Sequence, residues 1–133
     1  IAALLHDIAK EFPLKKQIKL IKKANIKLKN MELIVKKAPK ILHQWASAAY
    51  AKEEFKIYNK EIISAISKHT TADKNMKLLD KIIYVSDFIS DDRNFSKAKT
   101  AKNLAFKDIE LAFKKIKEMK KEYVVKHGEF LYE

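Results

Sequence analysis

The chain has 133 residues, and 29 lysines and arginines against 17 acidic residues give it a formal charge of +12. It contains no cysteine, which excludes disulfides, thiolate zinc sites and iron–sulfur clusters. Domains usually have about 100–150 residues, so residues 1–133 are predicted to form a single domain. No apolar run approaches the ~18 residues that a membrane span needs, and no leader peptide is visible, which predicts a cytoplasmic protein. With one glycine and two prolines the chain is poor in hairpin turns, so an all-α fold is expected.

Four helices are predicted in the first part of the chain. The first opens at Ile1 and ends at Phe12-Pro13, because proline disfavours helical geometry at the residue before it. A short amphipathic helix follows, then one capped by Asn30 and one with Pro39 in its first turn. Apolar residues at helical spacing are expected to form the buried faces of these helices: Ile1, Leu4, Leu5, Ile8, Leu14, Ile18, Ile21, Met31, Ile34, Val35, Leu42, Trp45, Ala46 and Ala49.

The second part of the chain continues the helical pattern. Asn59 is expected to cap a helix that ends near His69. The most apolar helix starts at Leu78 and breaks at Ser90-Asp91-Asp92, and two further helices are predicted between residues 97 and 126. Gly128 is the expected left-handed residue after the last helix. The sequence has no internal repeat and no interdomain linker.

The positive charge is concentrated near the N-terminus, with eleven lysines and two glutamates between Lys10 and Lys40. Such a segment can attract nucleic acid or any polyphosphate. The lysines are interleaved with apolar residues at helical spacing, which favours the simpler interpretation of solvated helix faces. The charge alone therefore does not identify a partner.

A few ionisable residues lie within apolar helices: the pair His6-Asp7, then His43, His69 and Asp87. Burying such a group costs several kcal/mol unless it is paired or binds a metal. A single histidine of this kind is usually a hydrogen-bonded core residue. Imidazole nitrogen together with carboxylate oxygen suits iron, manganese, cobalt or zinc. The combination therefore predicts a metal site to which several helices contribute.

Several segments resemble one family of enzymes. LLHDIAK is similar to the motif that gives HD-domain metal-dependent phosphohydrolases their name. The order and spacing of the later segments resemble the YqeK-like branch of that family, the bacterial symmetrical bis(5′-nucleosyl)-tetraphosphatases. These segments are ILHQWASAAYAKEEF, AISKHTT, LLDKIIYVSDFISDDRNF and KEYVVKHGEFLY. The resemblance extends over nearly the whole chain and implies a helical HD-type bundle with a metal between helices.

The resemblance also implies a role for particular residues. His6, Asp7 and Asp87 would be the metal ligands, and the family's usual metal is iron, although manganese, cobalt or zinc also suits this donor set. His43 and His69 would face the same pocket, contact the substrate phosphates or a second metal, and act with Asp7 in catalysis.

Three more residues would bind the substrate. Thr70 and Thr71 would donate hydrogen bonds to nucleotide or phosphate beside His69. Arg93 would pair with phosphate in a bidentate manner, which lysine does poorly. It is the sole arginine of this lysine-rich chain, which strengthens its assignment.

The chain departs from the family pattern at several places. The family has one more metal-binding histidine on a helix upstream of LLHDIAK, so this chain is predicted to lack that first helix. Ala72 and Ser47 stand where the family usually has glycine, and Ser90-Asp91-Asp92 replaces a Glu-Pro-Gly segment. These substitutions are expected to reshape the nucleotide pocket rather than the ligand set.

The expected activity is symmetrical hydrolysis of diadenosine tetraphosphate to two ADP. One alternative is another HD-domain activity, such as a nucleotidase or a cyclic-nucleotide phosphodiesterase. The other is a metal-free, lysine-rich helical module that binds nucleic acid. The favoured partner is a nucleotide rather than nucleic acid or a membrane. A homodimer, or fusion behind a nicotinate-nucleotide adenylyltransferase domain, is compatible with the resemblance.

Overall fold

The computed structural model describes residues 1–90 and 96–132. These parts of the chain contain eight α-helices and no strand, which confirms the predicted all-α class. A short 3₁₀ turn, Pro39–Ile41, leads into the fourth helix, so Pro39 lies just before that helix rather than in its first turn. The helices are α1 (Ala2–Leu5), α2 (Leu14–Lys23), α3 (Met31–Lys37), α4 (His43–Glu54), α5 (Lys60–Ser67), α6 (Leu78–Phe88), α7 (Ser96–Ala105) and α8 (Ile109–Lys126).

The central helix of the bundle is α4, which contacts α1, α2 and α5. In turn, α5 packs on α6, α6 on α8, and α8 on α7. Alanines lie on several faces of α4, so neighbouring helices can approach it from all sides, as is typical of a helix buried all round. Its buried residues are His43, Gln44, Trp45, Ala46, Ser47, Ala48, Ala49 and Ala51. Three of these are polar side chains in a helix that has little contact with water.

Helix ends follow the predictions in part. The Asn59 side chain accepts hydrogen bonds from the amides of Glu61 and Ile62, as expected of a cap. Gly128 has a φ of 63°, which confirms the left-handed residue after α8. Asn30 was predicted to cap α3, and that prediction is wrong. Its backbone is left-handed, with a φ of 59°, and its side chain makes no capping hydrogen bond.

The first helix is much shorter than the sequence predicts. It ends at Leu5, and residues 6–12 form successive turns closed by bonds such as Lys10 N to Asp7 O, 3.0 Å. Ile1 and Leu4, expected to be buried, are 63% and 84% exposed, whereas Ala9 is fully buried. The physical reason is the polar pair that follows Leu5, whose side chains turn toward partners on other helices. The described residues include no helix that is both long and apolar enough to cross a membrane.

Candidate metal centre

Five ionisable side chains from separate parts of the chain meet at one place between the helices. His6 and Asp7 follow α1, His43 is the first residue of α4, His69 follows α5, and Asp87 lies near the end of α6. His43 and His69 are buried, and the other three are half-buried. All five were singled out from the sequence, and the fold brings them together.

The carboxylate of Asp7 lies at the centre of this group. Its Oδ1 is 3.1 Å from Nε2 of His43 and 3.2 Å from Nε2 of His69. Its Oδ2 lies 3.6 Å from Nε2 of His6 and 3.2 Å from the Lys10 ammonium. One carboxylate therefore contacts all three imidazoles, two through one oxygen and the third through the other.

Asp87 closes the group from the side of α6. Its Oδ1 is 3.4 Å from Nε2 of His6. The His6 and His69 rings meet edge to face, with their centroids 4.8 Å apart. The two carboxylates thus lie on either side of the His6 imidazole, and α6 is joined to the turn after α1.

The three imidazoles have the same tautomer. Nδ1 of His6, His43 and His69 lies 2.7, 2.6 and 2.7 Å from the carbonyl oxygen of the residue three positions earlier. A carbonyl can only accept a hydrogen bond, so each Nδ1 carries a proton and donates it. Each Nε2 is then the atom that faces the centre of the group: it donates to a carboxylate when the ring is charged and presents a lone pair to a metal when the ring is neutral.

The donor set fits a metal ion. Ligand atoms of His6, Asp7 and His69 all lie within 4.8 Å of one another. Nε2 of His43 and Nε2 of His69 are only 3.0 Å apart, so two lone pairs would face each other in a buried place unless a cation or proton lies near them. Imidazole nitrogens with carboxylate oxygens suit iron, manganese, cobalt or zinc. The residues present therefore fit the metal that the sequence predicted.

The electrostatics of the group favour its charged forms. Hydrogen bonds from His43 and His69 hold the pKa of the Asp7 carboxyl far below its ordinary value. Burial opposes ionisation of Asp87, but the hydrogen bond from His6 and the charges of His69 and Lys120 outweigh it and lower the pKa of Asp87. The same hydrogen bond to Asp87 raises the pKa of His6 above its ordinary value of 6.5. The contact between His6 and Asp87 thus favours the charged form of both partners, that is, an ion pair.

This ion pair predicts a pH dependence for the chelator-treated protein. A histidine whose pKa is raised by folding stabilises the fold below about pH 6.5 and loses that contribution as pH rises through its folded pKa. The difference in melting temperature between wild type and Asp87→Asn should therefore shrink as pH rises above about 6.5. Thermal unfolding followed by circular dichroism measures it. A difference that stays constant over this range would contradict the assignment of the pair.

Two buried polar residues to which the sequence analysis gave no supporting role hold the segments that carry these ligands. Oγ of Ser47 accepts a hydrogen bond from the buried amide of Ala9, 3.0 Å away, and so holds the turn that follows Asp7. Asp80 is 1% exposed and accepts from the Lys77 amide at 2.9 Å, at the start of α6. Ser47 is one of the departures from the family pattern, and here its hydroxyl satisfies a buried donor.

Of the predicted substrate-binding residues, the structure describes Thr70 and Thr71. Thr70 Oγ1 lies 3.5 Å from Nε2 of His43, so this threonine borders the centre. The Thr71 hydroxyl accepts a hydrogen bond from Gln44 at 2.8 Å. Ala72 packs against the core formed by α6, α7 and α8. Arg93, Asp91 and Asp92 lie outside the described residues.

Comparisons with known proteins identify the family to which this fold belongs. The HD domain family matches residues 1–91. A protein named bis(5′-nucleosyl)-tetraphosphatase, symmetrical, from Halalkalibacterium halodurans is 32% identical over 82% of this chain and 56% of its own length. One of the same name from Bacillus subtilis is 30% identical, over 84% and 58%.

A solved structure agrees as well. It is a Clostridium acetobutylicum protein titled a "predicted HD superfamily hydrolase involved in NAD metabolism". It is 30% identical, and the two superimpose with a TM-score of 0.90 over 98% of this chain and 68% of the other. The chain spans about half the length of the curated relatives it matches. With a family match that extends over most of its length and a shared fold, this chain belongs to the HD-domain family.

Proposed function

We propose that this chain carries the catalytic site of a metal-dependent phosphohydrolase that cleaves diadenosine tetraphosphate symmetrically into two ADP. The observation that carries the proposal is the position of the Asp7 carboxylate, within 3.2 Å of Nε2 of both His43 and His69. Two relatives named for this activity support the choice of substrate.

In this proposal His6, Asp7 and Asp87 hold the metal, and His69 lies close enough to contribute a further nitrogen. Iron is the proposed ion, and manganese, cobalt and zinc suit the same donors. A bound cation of this kind lowers the pKa of a water molecule and polarises a phosphoryl oxygen. Asp7 contacts Nε2 of all three imidazoles, and the backbone carbonyls that accept from their Nδ1 atoms orient each Nε2 inward.

The remaining residues bind the anionic substrate. The imidazoles of His43 and His69 are placed to neutralise charge that develops on the phosphate chain. The Thr71 hydroxyl accepts from Gln44, so its own hydrogen is available to a phosphate oxygen. Arg93 is proposed as a bidentate phosphate partner. The formal charge of +12 favours encounter with a polyphosphate at low salt.

A product assay tests this proposal. The natural protein that carries this chain would be loaded with iron or manganese, incubated with diadenosine tetraphosphate, and its products separated by chromatography. ADP as the sole product is the expected result, and Asp7→Asn serves as the inactive control. ATP with AMP would contradict symmetrical cleavage. Absence of turnover with metal bound would favour another HD-domain nucleotide phosphohydrolase, with Ala72 and Ser47 as the first positions to revert to glycine.

A further inference from the structure

A buried glutamine holds the turn that follows His69. Oε1 of Gln44 accepts hydrogen bonds from the amides of Thr70 and Thr71, at 3.1 and 3.2 Å. Its Nε2 donates to the Thr71 hydroxyl at 2.8 Å. The Gln44 side chain is 0% exposed, so its own amide has no access to water as a substitute partner. Both ends of the Gln44 amide are thus committed to two consecutive residues.

We infer that Gln44 is a positioning residue, which sets the location of His69 relative to His43. Gln44 directly follows His43 on α4. The same helix therefore supplies the His43 imidazole and the side chain that anchors the turn after His69. The 3.0 Å separation of the two Nε2 atoms therefore depends on α4, which carries both His43 and Gln44. This inference rests on the proposed metal site and deepens it.

The turn is also held from the opposite side. Nζ of Lys120, on α8, donates to the carbonyl oxygen of Thr70 at 3.1 Å, and it lies 4.1 Å from the centre of the Tyr84 ring. The amide and carbonyl of Thr70 are thus bound by side chains of two different helices. Because α8 lies beyond the HD domain match, this second support comes from outside the matched region.

The other glutamine that is buried on a helix makes a useful comparison. Gln17, on α2, donates to the carbonyl oxygen of Phe12 at 2.9 Å, but its own Oε1 has no hydrogen-bond partner. A glutamine kept only to fill space or to tie one loop need not use both ends of its amide. The Gln44 amide, by contrast, uses its oxygen and its nitrogen on the same turn, as a positioning role requires.

The experiment compares Gln44→Met, which keeps the side-chain volume, with Gln44→Glu, which keeps an oxygen that accepts from both amides. The control is Asp108→Ala, which removes the cap of α8 and costs about 1 kcal/mol of stability away from this turn. Manganese affinity is measured by titration calorimetry, and exchange of the Thr70 and Thr71 amide hydrogens by NMR. Hydrolysis of diadenosine tetraphosphate is followed alongside.

Gln44→Met is expected to weaken manganese binding about tenfold, as loss of an outer-shell support does in other metal sites. The two amides should exchange at least about tenfold faster, while Gln44→Glu stays close to wild type. A Gln44→Met protein that binds manganese as tightly as Asp108→Ala would overturn the inference, and so would a wild type that binds none. If the wild type binds manganese with this dependence but leaves the substrate intact, the inference stands and the proposed substrate is wrong.

Discussion

Replacing Asp7 with asparagine is expected to lower metal-dependent hydrolysis by about a thousandfold, because a bound cation contributes several kcal/mol of transition-state stabilisation and each 1.36 kcal/mol is tenfold in rate. The Asp7 carboxylate contacts Nε2 of all three histidines within 3.6 Å. An amide of the same shape has no negative charge and presents one N–H₂ group that cannot bind a cation. Initial rates at saturating metal, with calorimetric metal affinities, measure the effect.

The control for this variant is Asp73→Asn, an identical change in an exposed residue whose side chain accepts from the nearby Asn75 amide. Its hydrolytic rate and metal affinity should match those of the wild type. Turnover by Asp7→Asn that is close to wild type would show that this carboxylate does not hold the catalytic ion. Equal losses in both variants would point to a general effect of charge instead.

Replacing Asp87 with alanine is expected to abolish metal-dependent hydrolysis while leaving the helix content near that of the wild type. Asp87 is half-buried and contacts Nε2 of His6 at 3.4 Å, so its removal takes one carboxylate from the centre without opening the core. Far-ultraviolet circular dichroism checks the fold, and initial rates with metal-loaded protein check the activity.

The matched control is on the same helix, two turns earlier. Asp80 is 1% exposed, accepts from the Lys77 amide at 2.9 Å, and lies 3.6 Å from the Lys68 ammonium. Asp80→Ala should therefore lower the free energy of unfolding by about 2 kcal/mol in urea, since it removes the acceptor of the Lys77 amide and the ion-pair partner of Lys68. The folded fraction should still hydrolyse the substrate. Normal turnover by Asp87→Ala would show that Asp87 is not a ligand of the catalytic metal.

Most of the helices could be predicted from the sequence because apolar residues repeat with the helical period. The exception is the first helix, where Ile1 and Leu4 follow that period but are exposed. The helical period of the apolar residues does not reveal that His6 and Asp7 have polar partners on other helices, where α1 ends. Asn30 is another exception, since a residue type that favours capping also tolerates the left-handed backbone found there.

The five ionisable residues of the candidate centre could be selected from the sequence, through their place in apolar segments and the family resemblance. Their distances could not, because these depend on how α4, α5 and α6 pack. The hydrogen-bonding roles of Gln44 and Ser47 were missed for a related reason. Their partners are 26 and 38 positions away along the chain, and such hydrogen bonds leave no local pattern in the sequence. A polar residue within an alanine-rich helix was the available signal.

The small side chains of α4 limit which amino-acid substitutions this protein can accept. Alanines and a serine allow α1, α2 and α5 to approach α4 closely, so a larger residue at a buried position would cost about 1–3 kcal/mol through overpacking. It would also displace the helices that carry the ligands. The exposed lysines of α2, by contrast, can be replaced by other polar residues with little loss of stability. Divergence in this chain is thus expected to accumulate at its periphery, while the central helix stays nearly fixed in side-chain size.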